Sequence, residues 1–220
     1  MRPQITISYA QTLDGRLATR TGSSQWISSP EALRFAHELR ARHDAIMVGI
    51  GTVLADDPRL TVRLAPGRDP LRVVLDSALR IPLTAAVLRN GAAHGTIIAC
   101  ATGVAPSRRA ALEALGATVL ALPPGPQGGV DLAALMTALR QRGIASLMVE
   151  GGARVITALL RARLADRLAV CIAPKILGEG ISAIGDLGIS RLADACTLHD
   201  VTVTLCGADV IVQGRLDAGA

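Results

Sequence analysis

Short apolar runs recur along this chain with a helical pattern between most neighbouring pairs, and few folds accommodate that alternation. AIMVGI (45–50), LRVVLD (71–76), TIIAC (96–100), ATVLAL (117–122), SLMVE (146–150) and LAVCIAPKIL (168–177) follow an opening run QITISYA (4–10). Several are apolar at consecutive positions, as central parallel strands are when helices cover both of their faces. Strands alternating with helices imply an α/β layer architecture. The C-terminus changes style. VTVTLCGADVIVQGRL (201–216) alternates with period 2 on either side of a Gly-Ala-Asp turn, which predicts an antiparallel hairpin. Residues 1–220 show no internal repeat and no linker, so a single domain is expected, with a mostly parallel sheet and an antiparallel C-terminal end.

Local signals place the helices. In SSPEALRFAHELRARHD, Ser29 suits an N-cap, Pro30 the first helical position and Glu31 the first turn. Helices over 106–116 and 131–142 end at Gly116 and Gly143, and another occupies 153–163. The polar stretch after the first strand and PPGPQGG (123–129) read as loops.

Composition narrows the partners. The net charge is +5 and the pI about 9.7, carried by arginine, since Lys175 is the only lysine. Guanidinium groups bind phosphate through paired hydrogen bonds, so phosphorylated small molecules are expected. Nucleic acid is not expected, for no dense basic block or stacking platform accompanies the charge. Cys100, Cys171, Cys196 and Cys206 form no CxxC pair and no zinc spacing with the four histidines, so no metal is expected. They read as reduced, buried thiols of a cytoplasmic protein. MRPQITISYA lacks a signal-peptide layout, and no apolar run approaches the ~18 residues of a membrane span. Tyr9, Trp26 and Phe35 are the only aromatic residues, yet Trp26 stands in GSSQWISSP, a polar loop. Rings normally go to the core. Trp26 is therefore either a ligand-contacting residue or an anchor for its loop.

In parallel sheets, ligands gather at the carboxyl ends of strands. Four expected strands end suggestively: in Thr12–Arg16, in Gly49-Ile50-Gly51-Thr52, in Asp76-Ser77 and in Glu150-Gly151-Gly152. Two glycines before a helix let a backbone approach a pyrophosphate at the helix N-terminus, although such a turn is as readily structural. Glu150 ends an apolar strand and is costly to bury unpaired, which makes it a paired structural carboxylate or a ligand for substrate N–H groups. Asp56 lies in a turn or meets a ribose or ring. Arg63 is a surface charge or a phosphate ligand. Nucleophile elbow, Walker loop, HExxH and HxE…PCxxC signatures are all absent, so a cofactor-dependent reaction fits better than nucleophilic or metal chemistry.

YAQTLDGRLAT (9–19), GSSQWIS (22–28), LRARHDAIMVGIGTVLADDPRLTVR (39–63), RVVLDS (72–77), MVEGGARV (148–155) and IAPKILGEG (172–180) occur in an order that resembles one family. It is the reductase of riboflavin biosynthesis, a dihydrofolate-reductase-like domain that stands alone in archaea and fungi and follows a zinc deaminase in most bacteria. The resemblance implies a three-layer dihydrofolate-reductase-like fold, a homodimer, and NADPH-dependent reduction of a phosphoribosylamino-pyrimidine at C1′ of its ribose. By position, NADPH would meet Ala10, Trp26, Thr52, Asp56, Ser77, and Gly151 and Gly152 with Ala153, Arg154, Val155, Ile156, Thr157 and Ala158. The substrate would meet Ser24, Arg40, Leu60, Arg63 and Glu150, with Arg40 and Arg63 on the 5′-phosphate and Glu150 at the pyrimidine. Glu150 or Asp56 would handle protons. Ser77 with Arg72 or Arg80 would take the 2′-phosphate. The fused bacterial enzymes carry a lysine where this chain has Ser8, which favours 2,5-diamino-6-ribosylamino-4(3H)-pyrimidinone 5′-phosphate over its deaminated uracil analogue. A diverged imine or pterin reductase and a non-catalytic nucleotide-binding protein are the alternatives.

Overall fold

The computed structural model describes residues 1–126 and 128–217; Gln127, within the 123–129 loop, and residues 218–220 lie outside the described residues. In chain order the elements are β1 (Gln4–Thr12), β2 (Arg16–Thr19), α1 (Pro30–Ala41), β3 (Ala45–Gly49), α2 (Ile50–Asp56), β4 (Leu71–Leu75), β5 (Thr96–Ala101) and α3 (Pro106–Ala114). Then come β6 (Thr118–Leu122), α4 (Leu132–Gln141), β7 (Ser146–Glu150), α5 (Ala153–Arg161), β8 (Arg167–Ala173), β9 (Gly180–Ser182), β10 (Leu198–Cys206) and β11 (Asp209–Leu216).

Nine strands form one sheet in the order β10-β11-β8-β1-β7-β3-β4-β5-β6, parallel from β8 to β6 and closed at the other end by the antiparallel β10–β11 hairpin. The pleat sorts side chains between two helical layers. Ile5, Ile7, Met47, Leu147 and Val149 point to the face covered by α4 and α5. Ile46, Val48 and Val74 point the other way, toward α2, α3 and the segment 79–95. On that second face α1 packs Leu39 against Met148 and Ala169. Met47, Ile46, Ile7 and Ile98 are wholly buried, each worth roughly 1.5–3 kcal/mol of apolar transfer.

From β3 the chain builds outward through β4, β5 and β6, then returns to insert β7 between β1 and β3 before crossing to β8. This reversal opens a crevice at the carboxyl ends of β1, β7 and β3. Ser29 caps α1, accepting from the Ala32 N–H, and Pro30 opens the helix, as the sequence predicts. Asp131 likewise caps α4.

Some expectations shift. The polar stretch after β1 is not all loop, because Arg16–Thr19 pairs with Gly180–Ser182 as a two-stranded flap. The strand end at Gly49 passes directly into a short helix, with Gly49 at its N-cap position and Ile50 to Thr52 in its first turn. The hairpin turn is Gly207-Ala208 alone, since Asp209 already pairs with Cys206. Gly207 has φ +62°, and a Cβ there would also meet the Glu31 carboxylate, so a glycine is needed. Cys100 and Cys171 are buried as expected, whereas Cys196 and Cys206 are only partly so.

Candidate active site

An open cleft of about 1530 Å³ runs along the carboxyl ends of β1, β7, β3 and β4. Typical small-molecule pockets are ~300–1,000 Å³, so this one has room for a dinucleotide and a second ligand. At its centre Glu150, the last residue of β7, receives two hydrogen bonds from Arg40 of α1: Nε to Oε2 at 2.7 Å and Nη2 to Oε1 at 2.5 Å. The side chains are 9% (Arg40) and 23% (Glu150) exposed. Arg40 also donates through Nη1 to the Thr61 carbonyl at 3.0 Å.

That geometry adds to one expectation. Arg40 borders the cleft as expected, and it is also Glu150's partner, with Nε and Nη2 on the carboxylate and Nη1 on a backbone carbonyl. Both readings of Glu150 meet in one residue: it is paired, and it still faces the cleft.

One turn from Arg40 on α1, His37 is wholly buried. Its Nδ1 accepts the Arg63 backbone N–H at 2.9 Å. Burial, then the charges of Arg40 and Arg63, hold the imidazole down to about 4. It is therefore neutral at physiological pH, and its Nε2 lies 3.4 Å from Arg40 Nη1. Arg63 itself is exposed, and its Nη1 donates to Thr61 Oγ1 at 2.8 Å. Partial desolvation and the nearby Arg40 and Arg59 lower its pKa, the mark of crowded positive charge. An incoming anion relieves such crowding. Arg63 is not part of the cleft lining, although Arg40 and Leu60 are.

At the other end Gly151 and Gly152, at φ +73° and +82°, turn the chain from β7 into α5. No side chain caps α5; Val155 and Ile156 donate to the Gly152 carbonyl, while the N–H groups of Ala153 and Arg154 are among those a helix leaves without an intrahelical acceptor, a feature that suits an anion. A Cβ on Gly152 would lie 3.2 Å from Thr52 Oγ1, and one on Gly49 2.9 Å from a Val155 methyl, so the ends of β3 and β7 are tightly apposed. Ala153, Arg154, Val155 and Ala158 border the cleft. Ile156 and Thr157 do not. Ile156 is wholly buried in the core, and Thr157 bonds the Ala153 carbonyl and the Gly185 N–H. Successive helical positions rotate by about 100°, so a contiguous stretch cannot all face one ligand.

Ala10, Ser24, Trp26, Thr52, Asp56, Leu60 and Ser77 all border the cleft. Leu60 is 3% exposed and offers packing only. Trp26 is 69% exposed, which excludes the buried-anchor reading of its ring. Asp56 sits at the end of α2, where partial burial raises its pKa, whereas Asp57 makes the turn and bonds Ala86 and Arg89. Arg72 is removed from consideration as an anion ligand: it is buried and donates to the carbonyls of Arg59 and Ala92. Arg80 is exposed and borders the cleft beside Ser77.

Sequence reasoning missed three contributors. The flap brings Leu17, Ala18 and Ile181 over the cleft. His37 is invisible without the fold. The loop holding Gly125 and Gly129 approaches Ser77, with a Cβ on Gly129 only 3.3 Å from Ser77 Oγ. Its signal was available: a glycine-rich run directly after a parallel strand lies at the ligand-binding edge. Among the described residues no cluster of His, Cys, Asp and Glu could hold a metal, and no helix is long and apolar enough to cross a membrane.

Comparison with known proteins gives the family. The RibD C-terminal domain family matches residues 3–212. A 2,5-diamino-6-ribosylamino-4(3H)-pyrimidinone 5′-phosphate reductase of Methanothermobacter thermautotrophicus is 44% identical over 218 residues, covering 97% of this chain and 98% of that protein. A riboflavin biosynthesis protein RibD of Aquifex aeolicus is 42% identical over 212 residues, 96% of this chain but only 57% of that protein. The RibD structure of Acinetobacter baumannii superposes with a TM-score of 0.84 at 28% identity, over 98% of this chain and 58% of its own. The chain thus spans little more than half the length of these two-part relatives. A dihydrofolate reductase of Enterococcus faecalis shares the fold, with a TM-score of 0.55 at 14% identity. The chain belongs to the RibD C-terminal domain family, among relatives named as reductases of riboflavin biosynthesis.

Proposed function

We propose that this chain reduces the ribosyl group of 2,5-diamino-6-ribosylamino-4(3H)-pyrimidinone 5′-phosphate to the ribityl form with NADPH. The observation that carries the reading is that a glycine turn into an uncapped helix and the Arg40–Glu150 pair open on the same cleft. The first suits a pyrophosphate, the second the polar edge of a heterocycle. Ser8 also supports the diamino substrate. It is 6% exposed, borders the cleft and pairs in register with Glu150 across β1 and β7, so a lysine there would change the charge beside Glu150.

When bound, NADPH supplies a hydride. Opening of the ribose ring leaves an imine at C1′ and a free hydroxyl at C4′. Addition of the hydride to C1′ and of one proton to nitrogen completes the amine. The protein's share is to hold the reacting carbon at a fixed distance, exclude water and manage that proton. Glu150 is oriented for the pyrimidine N–H groups by Arg40, and Asp56, its pKa raised, is the second group able to hold a proton. Arg63, crowded by Arg59 and Arg40, takes the 5′-phosphate. Ser77 and Arg80 take the 2′-phosphate of the cofactor, and Trp26 and Ser24 close the cleft from above.

The enzyme is read as a cytoplasmic homodimer. Its four cysteines are free thiols. Val203 and Leu205, 66% and 77% exposed on the outer strand β10, stand beside Val212 and Val210 of β11 as an apolar face suited to a second copy.

The test is NADPH oxidation with the diamino substrate and the uracil analogue in parallel. Faster turnover of the diamino compound is expected. Preference for the uracil would transfer the reading to the deaminated substrate, and turnover of neither would overturn it.

A further inference from the structure

The chain's one lysine and its one tryptophan are joined. Lys175 Nζ donates to the Trp26 carbonyl at 2.7 Å and to the Ile27 carbonyl at 2.8 Å, across nearly 150 residues of sequence. The lysine is mounted on a firm base. Its own carbonyl accepts from Leu13 at 2.8 Å. Two and three residues further on, the backbone N–H groups of Leu177 and Gly178 donate to the Asp14 carboxylate at 3.2 and 2.7 Å. Thr12 Oγ1 also donates to Asp14, at 2.6 Å, and these donors, the hydroxyl first, hold that carboxyl down to about 2. The exit of β8 is thus bolted to the exit of β1, and both strands lie inside the nine-stranded sheet.

The Trp26 loop has no such support of its own. Residues 24–28 make one internal bond, from the Ile27 N–H to the Ser24 carbonyl at 3.1 Å. Among the described residues, the only hydrogen bonds reaching residues 24–28 from elsewhere are the two from Lys175. The Trp26 ring is largely exposed, so packing does not hold it either. Yet Ser24, Gln25, Trp26 and Ile27 all border the cleft.

We propose that Lys175 is a positioning residue for the reductase reaction: its ammonium clips the Trp26 loop over the cleft so that Trp26 and Ser24 meet the ligands in a fixed pose. An ammonium suits this role because it carries three donors and no acceptor, and it can span two consecutive carbonyls. The kinetic part rests on the cleft being the cofactor and substrate site; the clip itself does not.

The sole tryptophan makes the clip directly observable. Lys175→Met keeps the length and removes the donors, while Lys175→Arg keeps donors and charge. Time-resolved anisotropy of Trp26 emission should show a larger fast-motion amplitude in the methionine variant, a near wild-type decay in the arginine variant, and melting temperatures close to wild type in both. In the methionine variant KM for NADPH should rise about tenfold, the scale of losing charged hydrogen bonds, with a smaller change in kcat and recovery in the arginine variant. Unchanged anisotropy in Lys175→Met would overturn the clip. A looser loop with unaltered kinetics would overturn the positioning role. A wild-type protein that oxidised no NADPH would count against the assigned reaction alone, and anisotropy would still decide the clip.

Discussion

Arg40 grips Glu150 through two nearly parallel N–H···O bonds, joining the last turn of α1 to the end of β7 across 110 residues of sequence. Each carboxylate oxygen keeps a further lone pair, so the pair fixes the acid's orientation without exhausting its acceptors. Glu150→Gln removes the charge and weakens acceptance from substrate N–H groups. The substrate KM should rise by roughly ten- to a hundredfold, with the NADPH KM little changed. Unchanged KM values for both ligands would remove Glu150 from the site. Arg40→Ala should in addition lower stability by about 1–3 kcal/mol, because it leaves a half-buried carboxylate unpaired, and a thermal melt reads that loss.

Arg63 presents its charge at the surface, with Thr61 Oγ1 as its one side-chain partner among the described residues. Arg63→Ala should cut kcat/KM for the phosphorylated substrate by about a hundredfold, the scale of a charge-assisted phosphate contact. The dephosphorylated substrate should be scarcely affected. Equal losses on the two would contradict the phosphate assignment.

Two arginines near Ser77 separate by their surroundings. Arg80→Ala should lower the preference for NADPH over NADH by about tenfold or more and leave the melting temperature near wild type. Arg72→Ala should instead destabilise by roughly 1–3 kcal/mol, since it removes a buried side chain that ties the Arg59 and Ala92 carbonyls together. Competing initial rates with the two cofactors make the comparison.

His37 predicts a particular response to acid. Folded, it titrates near 4; in an unfolded chain a histidine titrates near 6.5. Between those values the unfolded state binds the extra proton, so stability contributed by neutral His37 is present above about 6.5 and lost as pH falls toward 4. The unfolding free energy from denaturant titration should fall across that window, by about 3 kcal/mol. His37→Asn, which can still accept from the Arg63 N–H, should flatten the slope. An identical slope in the variant would rule His37 out as its source.

The outer hairpin tests the oligomer. Val203→Glu should convert a dimer to a monomer in light scattering after size exclusion, and a wild type that elutes as a monomer would refute the dimer reading.

The fold was largely legible in the sequence because strands buried on both faces leave unbroken apolar runs, and Ser29-Pro30-Glu31 marks a helix start by local chemistry alone. Short elements were not. Ile50–Asp56 is a seven-residue helix with a glycine on either side of its first residue and no side-chain cap, too short to leave a periodic pattern, and β2 has meaning only beside β9, some 160 residues away. At the site, family resemblance placed Trp26, Thr52, Ser77 and Glu150 along one cleft. It gave no sign that Arg40 pairs with Glu150, since 110 residues separate them and no local pattern joins them. It also carried Ile156 and Thr157 into the cofactor set because a motif is linear and a helix is not.

The start of α1 hangs from the far edge of the sheet. Asp209, almost fully enclosed, accepts the Ser29 N–H at 2.6 Å, and Ser29 Oγ reaches the Cys206 carbonyl at 3.1 Å. A substitution that frees Ser29 from Asp209 should therefore be felt along the helix whose last turn carries Arg40.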